Sequence, residues 1–151
     1  MSAGLSLPPI TVATDDYGCL MPLAKTLADQ SHPLASPLLL ELLRAELCEP
    51  DALPHDVVSL GRFVAYKLAD DGAPKYRALV HPGDRMRPSA EIPILSPVGI
   101  ALLGLRLGDR MPVLGLTDEP NRWVEVVGIG PWMTSGLVPR AFSARAGGLL
   151  F

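Results

Sequence analysis

The hydrophobic pattern of this chain changes from a helical period to a strand period at Pro50. Before Pro50, apolar residues recur at three- and four-residue steps, which is typical of amphipathic helices. After it, short apolar runs are separated by turn residues such as Asp71-Gly72, which is typical of strands and hairpins. We therefore predict an α+β fold, in which a helical part precedes a sheet.

The helical part, residues 14–50, is predicted to be a short antiparallel hairpin of two helices that follows a flexible lead-in, residues 1–13. Pro22 removes a backbone donor inside the first helix. We therefore expect either a kink there or a helix that begins near Met21.

The second helix follows the break "SHPLASP". We expect Ser36 to cap this helix and Pro37 to be its first residue, which gives 11 residues up to Leu47. The helix is strongly apolar. Three polar residues are expected on its solvent side: Glu41, Arg44 and Glu46.

The second part, residues 51–130, is predicted to be an antiparallel β-sheet wrapped on one short helix. In "SPVGIALLG" we expect Ser96 to be the cap, Pro97 the first helical residue and Gly104 the stop. Residues 131–151 form a tail to which we assign no structure. The predicted strands are Val57–Leu60, Arg62–Leu68, Lys75–Val80, Ile92–Leu95, Met111–Leu114 and Trp123–Ile129. The side chains expected to face the core from the central hairpin are those of Val64, Tyr66, Leu68, Tyr76, Ala78 and Val80.

The charge of the chain is unevenly distributed. The net charge is −3, which argues against nucleic acid as the main partner. Acidic residues dominate 14–51 and basic residues dominate 61–90, so the molecule could be oriented on a charged partner. The basic candidates for contact with a partner are Lys75, Arg77, Arg85 and Arg87.

Catalytic and metal-binding patterns are poorly supported. The three histidines, at 32, 55 and 81, lack zinc-ligand spacing. His55-Asp56 is interpreted as a polar turn, because adjacent side chains on an extended segment point to opposite faces. Cys19 and Cys48 are expected to be reduced, buried thiols in a cytoplasmic protein, since the first residues carry no targeting signal. The alternative is a redox-formed bridge, because an antiparallel hairpin would place the two residues near each other. We predict no cofactor, no metal site and no membrane span.

Three segments carry a resemblance to a known family: "ELCEPDALPHDVVSLGRFVAYKLADDG", "YRALVHPGD" and "ILSPVGIALLGLRLGD". They resemble the C-terminal domain of Gre factors and, more specifically, the Rnk family of regulators of nucleoside diphosphate kinase. The resemblance extends from about Asp15 to Val127. It implies an FKBP-like sheet domain and binding to bacterial RNA polymerase at the secondary channel. It also implies that Ser96 and Pro97 touch the polymerase, with Leu95 where Gre factors often carry an acid.

The hairpin decides which activity the resemblance implies. Gre factors stimulate transcript cleavage by presenting acidic residues at the tip of a long coiled coil. Here the second helix is only about 16 Å long at 1.5 Å per residue. The predicted tip consists of Asp29, Gln30, Ser31 and His32, of which only Asp29 is acidic. We therefore predict a non-enzymatic, monomeric protein that binds RNA polymerase and competes with Gre factors without stimulating cleavage. The alternatives are a peptidyl-prolyl isomerase and an adaptor linked to nucleotide metabolism.

Overall fold

The computed structural model describes residues 7–68, 73–81, 90–113 and 122–130. Within these ranges the fold is α+β, as predicted. Two helices come first, and a five-stranded sheet with a third, short helix follows. The elements are β1 (Thr11–Ala13), α1 (Thr14–Asp29), α2 (Ala35–Arg44), β2 (Glu46–Cys48), a 3₁₀ turn (Pro50–Ala52), β3 (Phe63–Leu68), β4 (Lys75–Val80), β5 (Glu91–Pro93), α3 (Pro97–Leu102), β6 (Arg110–Pro112) and β7 (Trp123–Gly130).

Helices α1 and α2 pack against each other as the predicted hairpin. Helix α1 continues through Pro22 as one element, so a start near Met21 is wrong. Pro22 is exposed, and on the solvent side of a helix water can satisfy the carbonyl that loses its backbone donor. The inward side of α1 is formed by three buried side chains, those of Leu20, Ala24 and Leu27.

Helix α2 begins one residue before the predicted cap. Leu34 is its N-cap residue and no side chain caps it there, so the capping role expected of Ser36 is wrong. Instead, the Nδ1 atom of His32 accepts a hydrogen bond from the Leu34 N–H at 3.0 Å. This bond fixes the turn that leads into the helix, but it does not satisfy the N–H groups of the first helical turn that a capping side chain would bind.

The segment before α1 is ordered from Ile10 onwards, so the flexible lead-in predicted for residues 1–13 is wrong at its end. Ile10 and Val12 are each only 1% exposed. Strand β1 pairs in parallel with β2, with Thr11 opposite Glu46. The helical hairpin therefore leaves from one strand and returns to its neighbour.

Gly104 connects this strand pair to the second half of the molecule. Its carbonyl accepts a hydrogen bond from the Thr11 N–H at 3.2 Å, and its own N–H donates to the Val58 carbonyl at 2.9 Å. Gly104 has φ = +80°, and a Cβ there would lie 2.8 Å from the Ile10 Cβ. Only glycine fits this position without strain. Helix α3 ends at Leu102, just before it, as the sequence predicted.

The larger sheet has the strand order β5-β4-β3-β7-β6. Strand β4 pairs in parallel with β5, so the prediction of a wholly antiparallel sheet is wrong at this edge. The strand predicted for Val57–Leu60 is also wrong, because this run forms only one isolated bridge, between Val57 and Arg106. Val57 and Val58 are fully buried, so the apolar run reflects core packing rather than a strand.

The register of the central hairpin corrects one prediction about the core. Val64 lies opposite Arg77, and directly opposed residues share a face of an antiparallel sheet. The core-facing residue of β4 on the same face as Val64 and Tyr66 is therefore Leu79, which is fully buried, although Ala78 on the other face is buried as well. The predicted inward set on β4 was shifted by one residue, which moves every side chain to the other face. That set was Tyr76, Ala78 and Val80.

One core unites the two halves of the described chain. Its largest cluster of buried residues includes Leu20 and Leu38 from the hairpin, Leu102 from α3, and Leu79 and Val124 from the sheet. None of the helices in the described ranges has the length and apolarity that crossing a bilayer requires.

Four predicted features lie outside the described residues. They are the turn at Asp71-Gly72, the basic loop with Arg85 and Arg87, Leu114 at the end of a predicted strand, and the tail at 131–151.

Candidate functional site

The turn from β5 into α3 is held by both hydrogen-bonding directions of one hydroxyl. Ser96 Oγ accepts from the Gly99 N–H at 3.0 Å and donates to the Pro93 carbonyl at 2.8 Å. Pro97 follows as the first residue of the helix. The sequence prediction of cap and first residue is therefore confirmed, and the backbone of this turn is fixed by the bonds on each side of it.

The residues around this cap form a partly exposed surface on a rigid support. We call Leu95–Val98 the cap surface. All four residues are half-buried, whereas Ile94 before them and Gly99 after them are buried. Three of the four side chains are apolar. A firmly held, mainly apolar surface of this kind suits contact with another protein, because little conformational freedom is lost on binding.

Gly99 brings the first turn of α3 close to the end of β5. A Cβ at this position would overlap the carbonyl oxygen of Pro93 and would lie 2.9 Å from Ser96 Oγ. The glycine is therefore required by the close approach of backbone to backbone rather than by an unusual dihedral angle. It sets the position of the cap surface on the sheet.

The basic residues of β4 are not brought to the cap surface. Strand β4 runs parallel to β5, and Val80 at its end pairs with Pro93, next to the cap. Lys75 lies at the other end of β4, about 17 Å away at 3.3 Å per residue. Lys75 is exposed, and the Arg77 guanidinium donates to the Tyr76 carbonyl at 3.0 Å.

The hairpin tip is exposed and has a single carboxylate. Asp29 ends α1, and Gln30 and Ser31 follow it as exposed residues, while His32 is half-buried. Ser31 has φ = 57°, a conformation that reverses the chain within one residue. Its backbone N–H donates to the Ala28 carbonyl at 3.0 Å. The tip is thus a tight turn, and the described residues at it offer one carboxylate to a cation.

Asp16 links the base of the hairpin to the sheet half. Its Oδ2 atom accepts a hydrogen bond from the Leu60 N–H at 3.2 Å. Burial raises the pKa of the Asp16 carboxyl, and the charge of Asp15 raises it further. The bond from Leu60 and the positive charge of Arg62 act in the opposite direction without cancelling this rise.

A buried ion pair fixes α2 to its surroundings, and the sequence analysis missed it. Glu41, which was expected on the solvent side, is 1% exposed. Arg44 donates to both Glu41 carboxylate oxygens, at 3.0 and 3.3 Å, and to the Pro8 carbonyl at 2.6 Å. It also contacts Met111 Sδ, at 3.6 Å, on the sheet. The three-residue spacing of Glu41 and Arg44 was visible in the sequence, but the depth at which the pair lies was not.

The remaining candidates for chemistry stay apart. In the described ranges, no three His, Cys, Asp or Glu side chains are grouped as a metal site would require. His55 lies in an exposed turn, as predicted. Cys19 and Cys48 are free thiols, but Cys19 is exposed and Cys48 is half-buried, so the prediction that both are buried is wrong. Helix α1 turns position 19 outward while Leu20 faces the core.

Comparison with known proteins identifies relatives of the sheet half. The family model for the C-terminal domain of transcription elongation factors GreA/GreB matches residues 53–130. The regulator of nucleoside diphosphate kinase from Escherichia coli (strain K12) is 40% identical over 79 residues, which are 52% of this chain and 58% of that protein. Transcription elongation factor GreA from Leuconostoc citreum (strain KM20) is 35% identical over 69 residues, 46% of this chain and 43% of that protein.

A solved structure extends the similarity to most of the chain. The prokaryotic transcription elongation factor GreA/GreB from Nitrosomonas europaea matches with a TM-score of 0.62 and 30% identity, over 80% of this chain and 98% of that one. The fold is therefore GreA/GreB-like. Because the family model matches just over half of the chain, this protein belongs to the GreA/GreB C-terminal domain family, and it has relatives that are named regulators of nucleoside diphosphate kinase.

Proposed function

We propose that this protein is a non-enzymatic transcription regulator that binds bacterial RNA polymerase at the rim of the secondary channel. Its family membership supports a role in transcription, since the relatives are named elongation factors or regulators. We assign the polymerase contact to the cap surface, with Ser96 and Pro97 at its centre. Its rigidity and its apolar side chains are what a protein-binding surface needs.

The short hairpin supports the second part of the proposal, which is that the protein does not stimulate transcript cleavage. Helix α2 has ten residues, which is about 15 Å at 1.5 Å per residue. Asp29 is the single carboxylate at the tip. Two-metal chemistry requires several oxygen ligands at the metal ions, and one carboxylate on a short hairpin cannot provide them. The protein therefore occupies the channel and excludes longer factors without stimulating transcript cleavage.

Charge gives the proposed complex its orientation. The exposed residues Asp15, Asp29, Glu46 and Glu49 make the hairpin acidic. Lys75 and Arg77 are basic contact candidates on the sheet, and the same role is proposed for Arg85 and Arg87. An excess of acids on the hairpin and at its base, and of bases on β4, favours one direction of approach to a charged partner. We further propose that the protein acts as a monomer in the cytoplasm.

A competition experiment tests this function. Purified bacterial RNA polymerase is incubated with fluorescently labelled GreA, and the unlabelled protein is added. We expect displacement of GreA at micromolar concentrations, together with no release of short RNA from a stalled elongation complex. Failure to displace GreA contradicts the binding proposal, and stimulated RNA cleavage contradicts the passive mechanism.

Two variants locate the contact. Pro97→Gly should weaken displacement of GreA, because it loosens the first turn of α3 and removes an apolar side chain from the cap surface. Asp29→Ala, at the tip, is the matched control and should leave displacement unchanged. Circular dichroism of Pro97→Gly separates lost binding from lost folding. If Asp29→Ala loses much of its ability to displace GreA, the proposal that the tip does not contribute to polymerase binding is wrong.

The enzyme alternative has weaker support from the described residues. We propose that the sheet and α3 have an FKBP-like arrangement, and such folds include peptidyl-prolyl isomerases. An isomerase needs an aromatic-lined pocket for proline. The described residues that line two surface cavities are His55, Arg62, Ile129 and Gly130 in one, and Cys19, Leu60, Gly61, Leu79, Val80 and His81 in the other. None is Phe, Tyr or Trp, so these two cavities give the alternative no support. A proline isomerisation assay tests it, and the proposed regulator should be inactive there.

The adaptor alternative makes a different prediction. It is suggested by the relatives that are named regulators of nucleoside diphosphate kinase. An adaptor should bind purified nucleoside diphosphate kinase in the absence of polymerase, and the proposed polymerase regulator should not. Size-exclusion chromatography of the two purified proteins distinguishes the two functions.

A further inference from the structure

Helix α2 exposes leucines on the side that faces away from the core. Leu40 is 56% exposed and Leu43 is 70% exposed, and Leu47, just after the helix, is 46% exposed. Leu40 and Leu43 are three residues apart and therefore neighbours on the helix surface. We call Leu40 and Leu43, together with Leu47, the leucine face. Single exposed leucines are ordinary, whereas several in succession indicate a surface that something covers.

The side chains of α2 depart from the usual amphipathic arrangement at individual positions on both sides of the helix. The inward side contains the buried carboxylate of Glu41, whereas Leu43 is among the most exposed large apolar residues described. Core packing does not require the exposed leucines, because Ala35, Leu38 and Leu42 already fill the inward side. The leucine face is therefore available to a partner without any rearrangement of the hairpin.

Charge restricts what can cover the leucine face. The exposed acids of this region are Asp29 at the tip of the hairpin and Glu46 and Glu49 beside Leu47 in the chain, and they outnumber the exposed base on α1, Lys25. Arg44 is already bonded to Glu41 and Pro8. A second copy of the same face would bring carboxylates against carboxylates, which is unfavourable. The suitable occupant is an apolar segment with positive charge.

The C-terminal segment of this chain has that composition. Residues 131–151 contain no Asp or Glu, and their charged side chains are those of Arg140 and Arg145. The large apolar side chains after residue 136 are those of Leu137, Val138, Phe142, Leu149, Leu150 and Phe151.

The segment is also long enough to reach the leucine face. It follows Gly130, which lines the same cavity as His55. Leu47 is eight residues before His55 in the chain, so these two residues are at most about 29 Å apart. The 21 residues after Gly130 span up to about 70 Å when extended. The segment is therefore long enough to extend from Gly130 to Leu47, the nearest residue of the leucine face to His55 in the chain.

We propose that residues 131–151 bind the leucine face of α2 in the same chain. Apolar side chains of the segment cover Leu40 and Leu43, and Arg140 and Arg145 pair with the surrounding carboxylates. Bound in this way, the segment competes with any partner that contacts this side of the hairpin. The proposal does not depend on binding to RNA polymerase and goes beyond that function.

Site-specific photo-crosslinking in the full-length chain tests the proposal. Benzoylphenylalanine replaces Leu43, and in a control chain it replaces Leu107, a 52% exposed leucine in the turn before β6. Linked peptides are identified by mass spectrometry after irradiation. We expect position 43 to crosslink to residues 131–151 at least about fivefold more than position 107, because both positions are tethered to the segment but only position 43 lies on the face that it covers. The yield should not change when the protein is diluted tenfold, a factor chosen to separate the first-order reaction from association of two chains.

A charge-reversal variant completes the test. Arg140→Glu with Arg145→Glu should reduce the crosslink from position 43 several-fold, because like charges then oppose the carboxylates around the leucine face. Benzoylphenylalanine at Leu40 is the second attachment site if the variant at Leu43 does not fold. The proposal is overturned by equal yields at positions 43 and 107, by crosslinks mainly between two chains, or by a yield that charge reversal leaves unchanged.

Discussion

Replacing Arg44 with methionine tests how the hairpin is held on the rest of the molecule. Arg44→Met retains much of the length of the side chain but removes both bonds to Glu41 and the 2.6 Å bond to the Pro8 carbonyl. The Glu41 side chain is 2% exposed, so water cannot replace the lost partner. The hairpin should then lose one of its attachments to the N-terminal segment and to β6.

The expected cost follows from this burial. Removing one member of a buried ion pair typically costs about 3–5 kcal/mol, because the other charge remains buried without a partner. The Arg44 side chain is 25% exposed, so we take the lower limit, about 3 kcal/mol. In urea, with a slope of about 2 kcal/mol per M, the unfolding midpoint should fall by about 1.5 M.

A double variant separates loss of the pair from burial of the remaining charge. Glu41→Leu with Arg44→Met should cost about 1 kcal/mol, mainly for the unpaired Pro8 carbonyl, and should therefore be more stable than Arg44→Met alone. Arg106→Met, on an exposed side chain, is the control and should change stability by less than about 0.5 kcal/mol. The reasoning is refuted if Arg44→Met costs no more than the control, or if the double variant is the less stable one.

Three further substitutions test the α3 cap and the hairpin base by urea unfolding. Ser96→Ala should cost about 1–2 kcal/mol, because Gly99 N–H and the Pro93 carbonyl both lose a partner. Gly99→Ala should cost about 1–3 kcal/mol or more, since its Cβ would overlap a backbone oxygen. Asp16→Asn should stabilise the protein at neutral pH. The raised pKa means that the folded state disfavours the ionised carboxyl of Asp16. The protonated carboxyl therefore contributes its full stability below the ordinary pKa of 3.8. This contribution is lost as the pH rises through the higher pKa of the folded state.

These three predictions have internal controls. Gly18→Ala, in α1 where a Cβ meets open space, should stabilise by about 0.5–1 kcal/mol, a change opposite in sign to that at Gly99. Equal effects at the two glycines contradict the close approach at α3. The advantage of Asp16→Asn should disappear as pH is lowered below about 4. An advantage that is independent of pH contradicts a desolvated carboxyl. Stability of Ser96→Ala within about 0.3 kcal/mol of the wild type would falsify the capping role.

The parts of the fold that local chemistry specifies could be predicted from the sequence. The cap and first residue of α3 required only the Ser-Pro pair and the following glycine, and the strand Lys75–Val80 was predicted with the bounds that the structure shows. The position of the cap followed in the same way, because a capping serine fixes where a helix begins. The partner contact assigned to Ser96 and Pro97 came from the family resemblance and stays a proposal.

The parts that tertiary packing decides could not be predicted. Strand β1 has three residues, too few to show a period, and it exists because β2 and Gly104 bond to it. Glu41 is polar by type, so its burial depends on Arg44 and Pro8 rather than on hydropathy. The face that β4 turns to the core depends on a register set through the turn, and composition does not encode a shift of one residue.

Strands β1 and β2 flank the helical hairpin in the chain and pair in parallel. Their hydrogen bonds therefore hold the two ends of the hairpin together. The chain leaves β1 at Ala13 and returns at Glu46, the first residue of β2, which pairs with Thr11. The hairpin between these residues is therefore closed at its base by a paired, fixed backbone. Residues added or removed at the hairpin tip change only the length of chain between the paired strands β1 and β2. The entropic cost of closing that chain depends weakly on its length. Inserting additional heptads at Ser31 would therefore lengthen the helical hairpin without changing the sheet half that supports it. The length of the hairpin could then be engineered separately from the surface proposed to bind the partner.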